Sequence, residues 1–495
     1  MMIKRISQFL FFIFFSSNIF SQQLVLPGDH PDPSVVKIGE TYWASSTTSN
    51  WFPAFPILKS KDLIHWQQQG YVFDKIPAWA DYYFWAPEIT YDKGKVYVYY
   101  AAHKKNGNLC VGVASADKPE GPYKDLGPLI CQEDGSIDAF PMRDENGKLY
   151  LVWKEDANSI GKPTPIWAMQ MNEERTALFG EKKELFRNTE GWEGNLVEGV
   201  SMIKQGKYFY AFYAAAGCCG VACSYGVGVA RSENLLGPWE KYGNNPLITS
   251  TGKWTCPGHG TSVEKNGRHY FMYHAYDKAS TIFTGRQGLL IEYKFLPDEW
   301  VQFIKEKTPR DVAPAKKNFD DFNKGSLLDY WQWSIFQNIK YKIINGSLRL
   351  SALPAGAYIG QKVTAANYFA TSNLGIQNSS ASSGIGIIGD DKNYISAFYN
   401  KGKINCIVLK DGKEQIVAEK VISSKKDISL RVQVSNSKDL YFYYSDNGKS
   451  FALINKNAID GSFLPPWDRG LRAGMLSKGT ADQKAVFKNF ELSNR

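Results

Sequence analysis

One short pattern recurs five times along the first 305 residues and restricts the architecture more than any other feature. It is a turn containing Gly followed by a strand dense in Tyr, Phe and Trp. The copies are Gly39-Glu40-Thr41-Tyr42, Gly94-Lys95-Val96-Tyr97, Gly147-Lys148-Leu149-Tyr150, Gly206-Lys207-Tyr208-Phe209 and Gly267-Arg268-His269-Tyr270, so successive glycines lie 55, 53, 59 and 61 residues apart. Each Gly stands between two short apolar runs, the pattern of a β-hairpin with a Gly-containing turn. A weaker repeat follows in three units: Ser60-Lys61-Asp62-Leu63-Ile64-His65-Trp66, Ser115 through Gly121-Pro122-Tyr123, and Ser232 through Gly237-Pro238-Trp239. Units of this length, with about four strands each and no convincing amphipathic helix, predict propeller blades. Five copies predict a five-bladed β-propeller over residues 22–305; solenoid repeats are usually shorter.

After a Pro- and charge-containing linker at 306–317 the pattern changes to alternating strands, such as Ile428-Ser429-Leu430-Arg431-Val432 and Leu440-Tyr441-Phe442-Tyr443-Tyr444. Turns such as Asp411-Gly412 and Asp446-Asn447-Gly448 separate them. Residues 318–495 therefore predict a β-sandwich of jelly-roll, concanavalin-like type, and the fold class is all-β. Trp331 and Trp333 read as its core. Residues 1–21 have the layout of a secretory signal: Lys4 and Arg5, the apolar run Phe9 to Phe15, and a small residue at Ser21. That run is shorter than the roughly 20 residues a permanent span needs, so a secreted or periplasmic protein with no membrane insertion is expected. The formal charge of +9 falls to +7 without Lys4 and Arg5, and it is not clustered, which argues against a nucleic-acid partner. Seven Cys in an exported chain leave at least one thiol unpaired within it, and the pairing among the rest is open.

The repeat also bears on chemistry. The first strand of every propeller blade lines the central channel, and all first strands run the same way. Counting back from the repeated Gly, Asp32 lies seven residues upstream, Asp138 nine, Glu198 eight and His259 eight; in the second blade that region is Trp85-Ala86-Pro87-Glu88. Three carboxylates and a histidine at matching places predict convergence in one funnel. Clustered carboxylates raise one another's pKa, and burial adds to this, so one group stays protonated while another stays ionised. Glycoside hydrolysis needs that division between an acid and a base. Calcium ligation and turn capping are the alternative uses of such acids.

Residues 25 to 305 resemble glycoside hydrolase family 43, a five-bladed propeller family acting on arabinose- and xylose-containing glycans. The resemblance rests on His30-Pro31-Asp32-Pro33-Ser34, Trp85-Ala86-Pro87-Glu88, Ser136-Ile137-Asp138, Val197-Glu198-Gly199, Gly258-His259-Gly260 and Gly285-Arg286-Gln287, in that order at blade spacing. It implies that Asp32 is the general base, that Glu198 is the general acid, and that Asp138 positions Glu198 and keeps its pKa high. It further implies that Arg286 contacts the acid or the sugar. His259 would stand in the channel beside a bound calcium or other ion, ligating it together with waters. Inversion then requires the Asp32 and Glu198 carboxyls to lie roughly 6.5 to 9.5 Å apart. The Arg-Asp-Pro element of the fructan-cleaving sister families is missing, since Arg143-Asp144-Glu145 lacks the Pro.

Trp85 and Trp51 are candidate sugar-binding walls, with packing as the competing use of each. His30 and Glu88 read as structural. Cys218-Cys219-Gly220-Val221-Ala222-Cys223 is placed to shape the pocket rim. The expected substrate is an oligo- or polysaccharide. The expected activity is an inverting, exo-acting α-L-arabinofuranosidase, with β-xylosidase, a galactan-directed enzyme and a non-catalytic glycan-binding propeller as alternatives.

Overall fold

The computed structural model describes residues 22–304, 311–424 and 426–495. The expected leader at 1–21 and residues 306–310 of the expected linker lie outside the described residues. Five antiparallel sheets follow one another in the order the repeats predict. Their innermost strands are Ser34–Ile38, Ala80–Asp92, Ser136–Arg143, Val197–Gln205 and Trp254–Lys265. The repeated Gly sits in the hairpin turn after each of them, and at all five positions φ is positive, between 58° and 83°. L-residues with a side chain avoid that region, so the recurrence of Gly at these turns has a steric cause. The weaker outer repeat closes on itself by a comparable hydrogen bond each time. Trp66 Nε1 donates to the Leu63 carbonyl at 2.9 Å, Trp239 Nε1 to Leu235 at 3.0 Å, and the Tyr123 hydroxyl to Pro119 at 2.7 Å.

The fifth blade draws on both ends of the propeller. Strand Gln23–Leu26 pairs with Gln287–Phe295, Gln23 facing Leu290, so the ring is closed by main-chain hydrogen bonds and leaves no unpaired edge there. Val312 N–H then donates to the Leu24 carbonyl at 2.9 Å, which leads the chain back along this closure. Adjacent blades pack through aromatic rings, Phe55 against Tyr100 at 5.5 Å and Phe212 against Phe271 at 5.1 Å.

Behind the propeller, a nine-stranded and a six-stranded antiparallel sheet enclose one apolar core around Trp331, Phe442, Met475, Phe487 and Phe490. The first sandwich strand, Lys317–Asp320, pairs with the last, Lys484–Asn494. The sandwich is joined to the first blade by main-chain pairing: Trp333–Ser334 lies beside Trp51–Phe52, and Ile335 N–H donates to the Asn50 carbonyl at 2.9 Å. Disulfides join Cys110 to Cys131, Cys218 to Cys219 and Cys223 to Cys256, and Cys406 is a buried free thiol in the sandwich. Among the described residues no helix is long and apolar enough to cross a membrane.

Candidate active site

Four of the five innermost strands break their regular pairing at the same height. Register shifts fall between Trp85 and Glu88, Ile137 and Phe140, Glu198 and Ser201, and on both sides of Gly258. At this height one residue per blade has positive φ: Asp32 (48°), Ala86 (47°), Asp138 (56°), Gly199 (61°) and His259 (33°). A bulge re-aims the side chains beside it, and a non-Gly residue held in this region costs about 1–3 kcal/mol. Repeated around the ring, these local turns direct Asp32, Asp138, Glu198 and His259 into one cavity of about 320 Å³, whose wall also includes Trp85, Lys154, Tyr225 and Arg286. Gly199 is sterically required, because a Cβ there would lie 2.7 Å from His259 Cγ.

Asp32 is buried and fully engaged. Its Oδ2 accepts from Thr47 Oγ1 at 2.7 Å and its Oδ1 from Arg286 Nη1 at 3.0 Å. Its own N–H donates to His274 Nδ1 at 3.0 Å. Burial, the largest single influence, would raise the Asp32 pKa. The Arg286 guanidinium, with the His274 and His259 imidazoles, outweighs it and holds the carboxyl far below the usual carboxylate range. Burial and Arg286 also bring His274 down to about 4, so its ring is neutral near pH 7.

Glu198 has a different environment. Its Oε2 accepts from Lys154 Nζ at 2.5 Å and its Oε1 from the Tyr225 hydroxyl at 2.5 Å. Lys154 is 1% exposed and also donates to Asp156 Oδ1 at 2.8 Å. Burial opposes ionisation of Glu198, but the Lys154 ammonium prevails and lowers its pKa. Asp138 moves the opposite way, to about 6, through burial and the nearby Glu198 charge, partly offset by His259 and Lys154. Asp138 Oδ2 accepts the Gly199 N–H at 2.9 Å, one residue from Glu198. His259 Nδ1 lies between the acids, 3.5 Å from Asp32 Oδ1 and 3.9 Å from Asp138 Oδ2. The expectation that Asp138 keeps the pKa of Glu198 high thus differs from the structure, in which that of Glu198 is lowered and that of Asp138 is raised. The physical reason is Lys154.

The sandwich domain supplies part of the wall through Trp467 and Asp468. Asp468 accepts from the Ser49 hydroxyl and from Trp85 Nε1 at 3.3 Å, and its carbonyl accepts from Arg286 Nη2 at 3.0 Å. The adjacent pair Cys218–Cys219 lines the cavity near Arg286, whose Nη1 is 3.7 Å from Cys218 Sγ.

Trp51, expected at the pocket wall, is not there. It is 2% exposed, packs against Tyr358 and Arg472 of the sandwich, and donates from Nε1 to the Gly470 carbonyl at 3.2 Å. The sandwich covers this segment, and packing, the competing use of Trp51, is the one the structure shows. His30 also faces the domain junction, with Ser46 Oγ at 3.1 Å and Lys362 Nζ at 3.3 Å. Glu88 is buried, accepts from Thr261 Oγ1 at 3.0 Å, and is raised to about 8 by desolvation, which leaves it a neutral carboxyl near pH 7.

Two family models match this chain. Glycosyl hydrolases family 43 matches residues 21–301, and the β-xylosidase C-terminal concanavalin A-like domain matches residues 319–493. The chain belongs to glycosyl hydrolases family 43.

A xylan 1,3-β-xylosidase of a Vibrio species is 26% identical to this family 43 chain over 324 residues, 58% of each sequence. A β-xylosidase of Bacillus subtilis is 28% identical over 277 residues, 50% of this chain and 48% of its own length. The chain thus spans about half the length of these curated relatives. A non-reducing end α-L-arabinofuranosidase of Bacteroides ovatus is 23% identical over 445 residues, covering 79% of this chain and 78% of its own. The crystal structure of a family 43 protein of Bacillus licheniformis superposes with a TM-score of 0.81 at 25% identity, covering 96% of this chain and 100% of that one.

The expected calcium or other ion of the family 43 site would have His259 as its protein ligand, with waters completing its shell. Among the described residues no group of three or more His, Cys, Asp or Glu is arranged to hold a metal. The carboxylate oxygen nearest His259 Nδ1 is already committed to Arg286. Lys154, Tyr225, His274, Trp467 and Asp468 were not singled out in the sequence. The one local signal was for Lys154, a charge ending the apolar run Leu149-Tyr150-Leu151-Val152-Trp153.

Proposed function

We propose that this family 43 protein is an inverting, exo-acting α-L-arabinofuranosidase that releases terminal sugars from plant cell-wall or related glycans. The observation that carries the reading is that one cavity holds three carboxylates whose surroundings set them apart. Asp32 is kept ionised by Arg286, while the Asp138–Glu198 pair retains a proton to about pH 6. In the reaction, Asp32 takes a proton from a water as the water oxygen bonds to the anomeric carbon. The bond to the leaving oxygen breaks on the opposite face, and that oxygen receives the proton of the pair through Glu198. Asp138 stores this proton in the unliganded protein. It reaches Glu198 when the leaving oxygen competes with Lys154 for that carboxylate.

The walls supplied by Trp467 and Asp468 support recognition of a chain end. A β-xylosidase is the second reading, favoured by the names of the relatives and by the match of the C-terminal domain. Assaying nitrophenyl α-L-arabinofuranoside, β-D-xyloside and β-D-galactofuranoside side by side tests the proposal, with fastest turnover expected on the first. Fastest turnover on the xyloside selects the second reading, and none on any of the three overturns the exo-acting one. The disulfides are in keeping with export to a secreted or periplasmic location.

The pH profile has a defined sign. Asp32 stays ionised through the acidic range, so kcat/KM is expected to hold on that side until unfolding intervenes. It is expected to fall as pH rises through about 6, where the pair loses its proton. Lys154→Met removes the cation that lowers the pair, so the falling limb should move to higher pH. A limb left in place by this substitution would show that Lys154 does not tune the acid.

A further inference from the structure

A line of five aromatic side chains leaves the cavity and runs along the junction of propeller and sandwich. Trp467 and Trp85, both in the cavity wall, meet edge to face at 5.8 Å. Trp85 stacks on Tyr83 at 4.4 Å, Tyr83 meets Tyr82 edge-on at 4.7 Å, and Tyr82 lies 6.0 Å from Phe336 of the sandwich domain. The two ends are open to solvent, Trp467 at 53% and Phe336 at 59%, and the three rings between them are half-buried.

Tyr82 packs against the apolar core of the first two blades, but core packing does not account for the line as a whole. A regular strand sends successive side chains to opposite faces, yet Tyr82, Tyr83 and Trp85 touch in sequence. They do so because strand Ala80–Asp92 slips register between Ala80 and Tyr82 and again between Tyr82 and Trp85. Tyr83 has φ of 57°, a strained position for a bulky residue. It is held there by Asn50 Oδ1, which accepts its N–H at 2.9 Å. His103 backs Tyr82, stacked at 4.1 Å, and is itself fixed by Asp81 Oδ1 at 2.8 Å from Nδ1. On the other side, Phe336 follows the segment that pairs with the first blade, so both walls of the line are anchored by hydrogen bonds.

We propose that this line is a binding site for the neutral glycan chain attached to the sugar in the cavity. Aromatic faces pack on the apolar faces of sugar rings while the hydroxyls on the ring edges remain in water. A row of rings continuous with the catalytic cavity suits a chain of rings whose end is being cleaved. The carboxylate beside it, Asp81, is already engaged by His103 Nδ1 at 2.8 Å, which favours an uncharged ligand. The inference rests on the reading that the cavity holds a terminal sugar.

Phe336→Ala and Tyr82→Ala test it, since neither residue lines the cavity. Linear arabinohexaose and arabinose-substituted xylohexaose serve as long substrates, and nitrophenyl α-L-arabinofuranoside as the short one. Each variant is expected to lose about tenfold in kcat/KM on at least one long substrate, through KM, with change on the short one held within about twofold. Equal losses on short and long substrates, or no loss on either long one, would overturn the proposal. Titration calorimetry of the same two hexasaccharide probes with Glu198→Gln, with and without Phe336→Ala, reads the site without turnover. If the wild type hydrolyses nothing, the hydrolase reading fails while this titration still decides. Weaker binding after Phe336→Ala supports the site, and equal or absent binding refutes it.

Discussion

Asp32→Asn is expected to lower kcat by ~100- to 10,000-fold, the range of a general base, because no other group in the cavity is prepared to take its place. Arg286, Thr47 and His274 all serve to keep this one carboxyl ionised and fixed. Asp138, protonated to about pH 6, cannot act as the base while it holds the proton intended for the leaving group. The substitution also leaves the buried Arg286 charge without its partner, and breaking a buried pair costs about 3–5 kcal/mol. Loss of activity must therefore be separated from loss of fold. Azide does this in Asp32→Ala: it needs no base, so it should restore part of the turnover and give a glycosyl azide of inverted configuration. An Asp32→Asn protein that keeps near-normal turnover would remove Asp32 from the reaction.

The second large effect is expected at Glu198. Glu198→Gln should cost ~100- to 10,000-fold on an oligosaccharide, whose leaving oxygen needs a proton, but less than about tenfold on a dinitrophenyl glycoside, whose leaving group needs none. Steady-state rates across leaving groups of graded pKa measure this difference. A glycan-binding propeller without catalysis would show no such dependence and would keep its affinity unchanged. The environment of Glu198 makes the result informative, since Lys154 and Tyr225 hold both of its oxygens in the unliganded site. A uniform loss on all leaving groups would point to disturbed binding of the sugar and not to proton delivery.

Much of the propeller was legible because its signals are local. The hairpin glycines Gly39, Gly94, Gly147, Gly206 and Gly267 answer a backbone demand within two residues of themselves, and the acids sit seven to nine residues before those turns. The features that were not legible depend on residues far apart in the chain. Pairing of Gln23 with Leu290 closes the ring across most of the propeller sequence. Trp51 is an aromatic that could wall a sugar pocket or pack, and Gly470 and Tyr358, more than 300 residues away, determine where it is buried. Asp468 reaches Ser49 and Arg286 in the same way. Lys154 was hidden for another reason. A lysine at the end of an apolar strand ordinarily reaches solvent, and only the packing of the neighbouring blade turns it onto Glu198.

The geometry finally meets a single chemical observable. In the proposed reaction Asp32 activates a water, and Glu198 protonates the leaving oxygen from the other side of the sugar. Proton NMR of the first minutes of hydrolysis of an α-L-arabinofuranoside, before mutarotation, reads the configuration of the released sugar. The β-anomer as first product is the result expected of a direct displacement by water. The α-anomer as first product would require a covalent intermediate and would contradict Asp32 as a base.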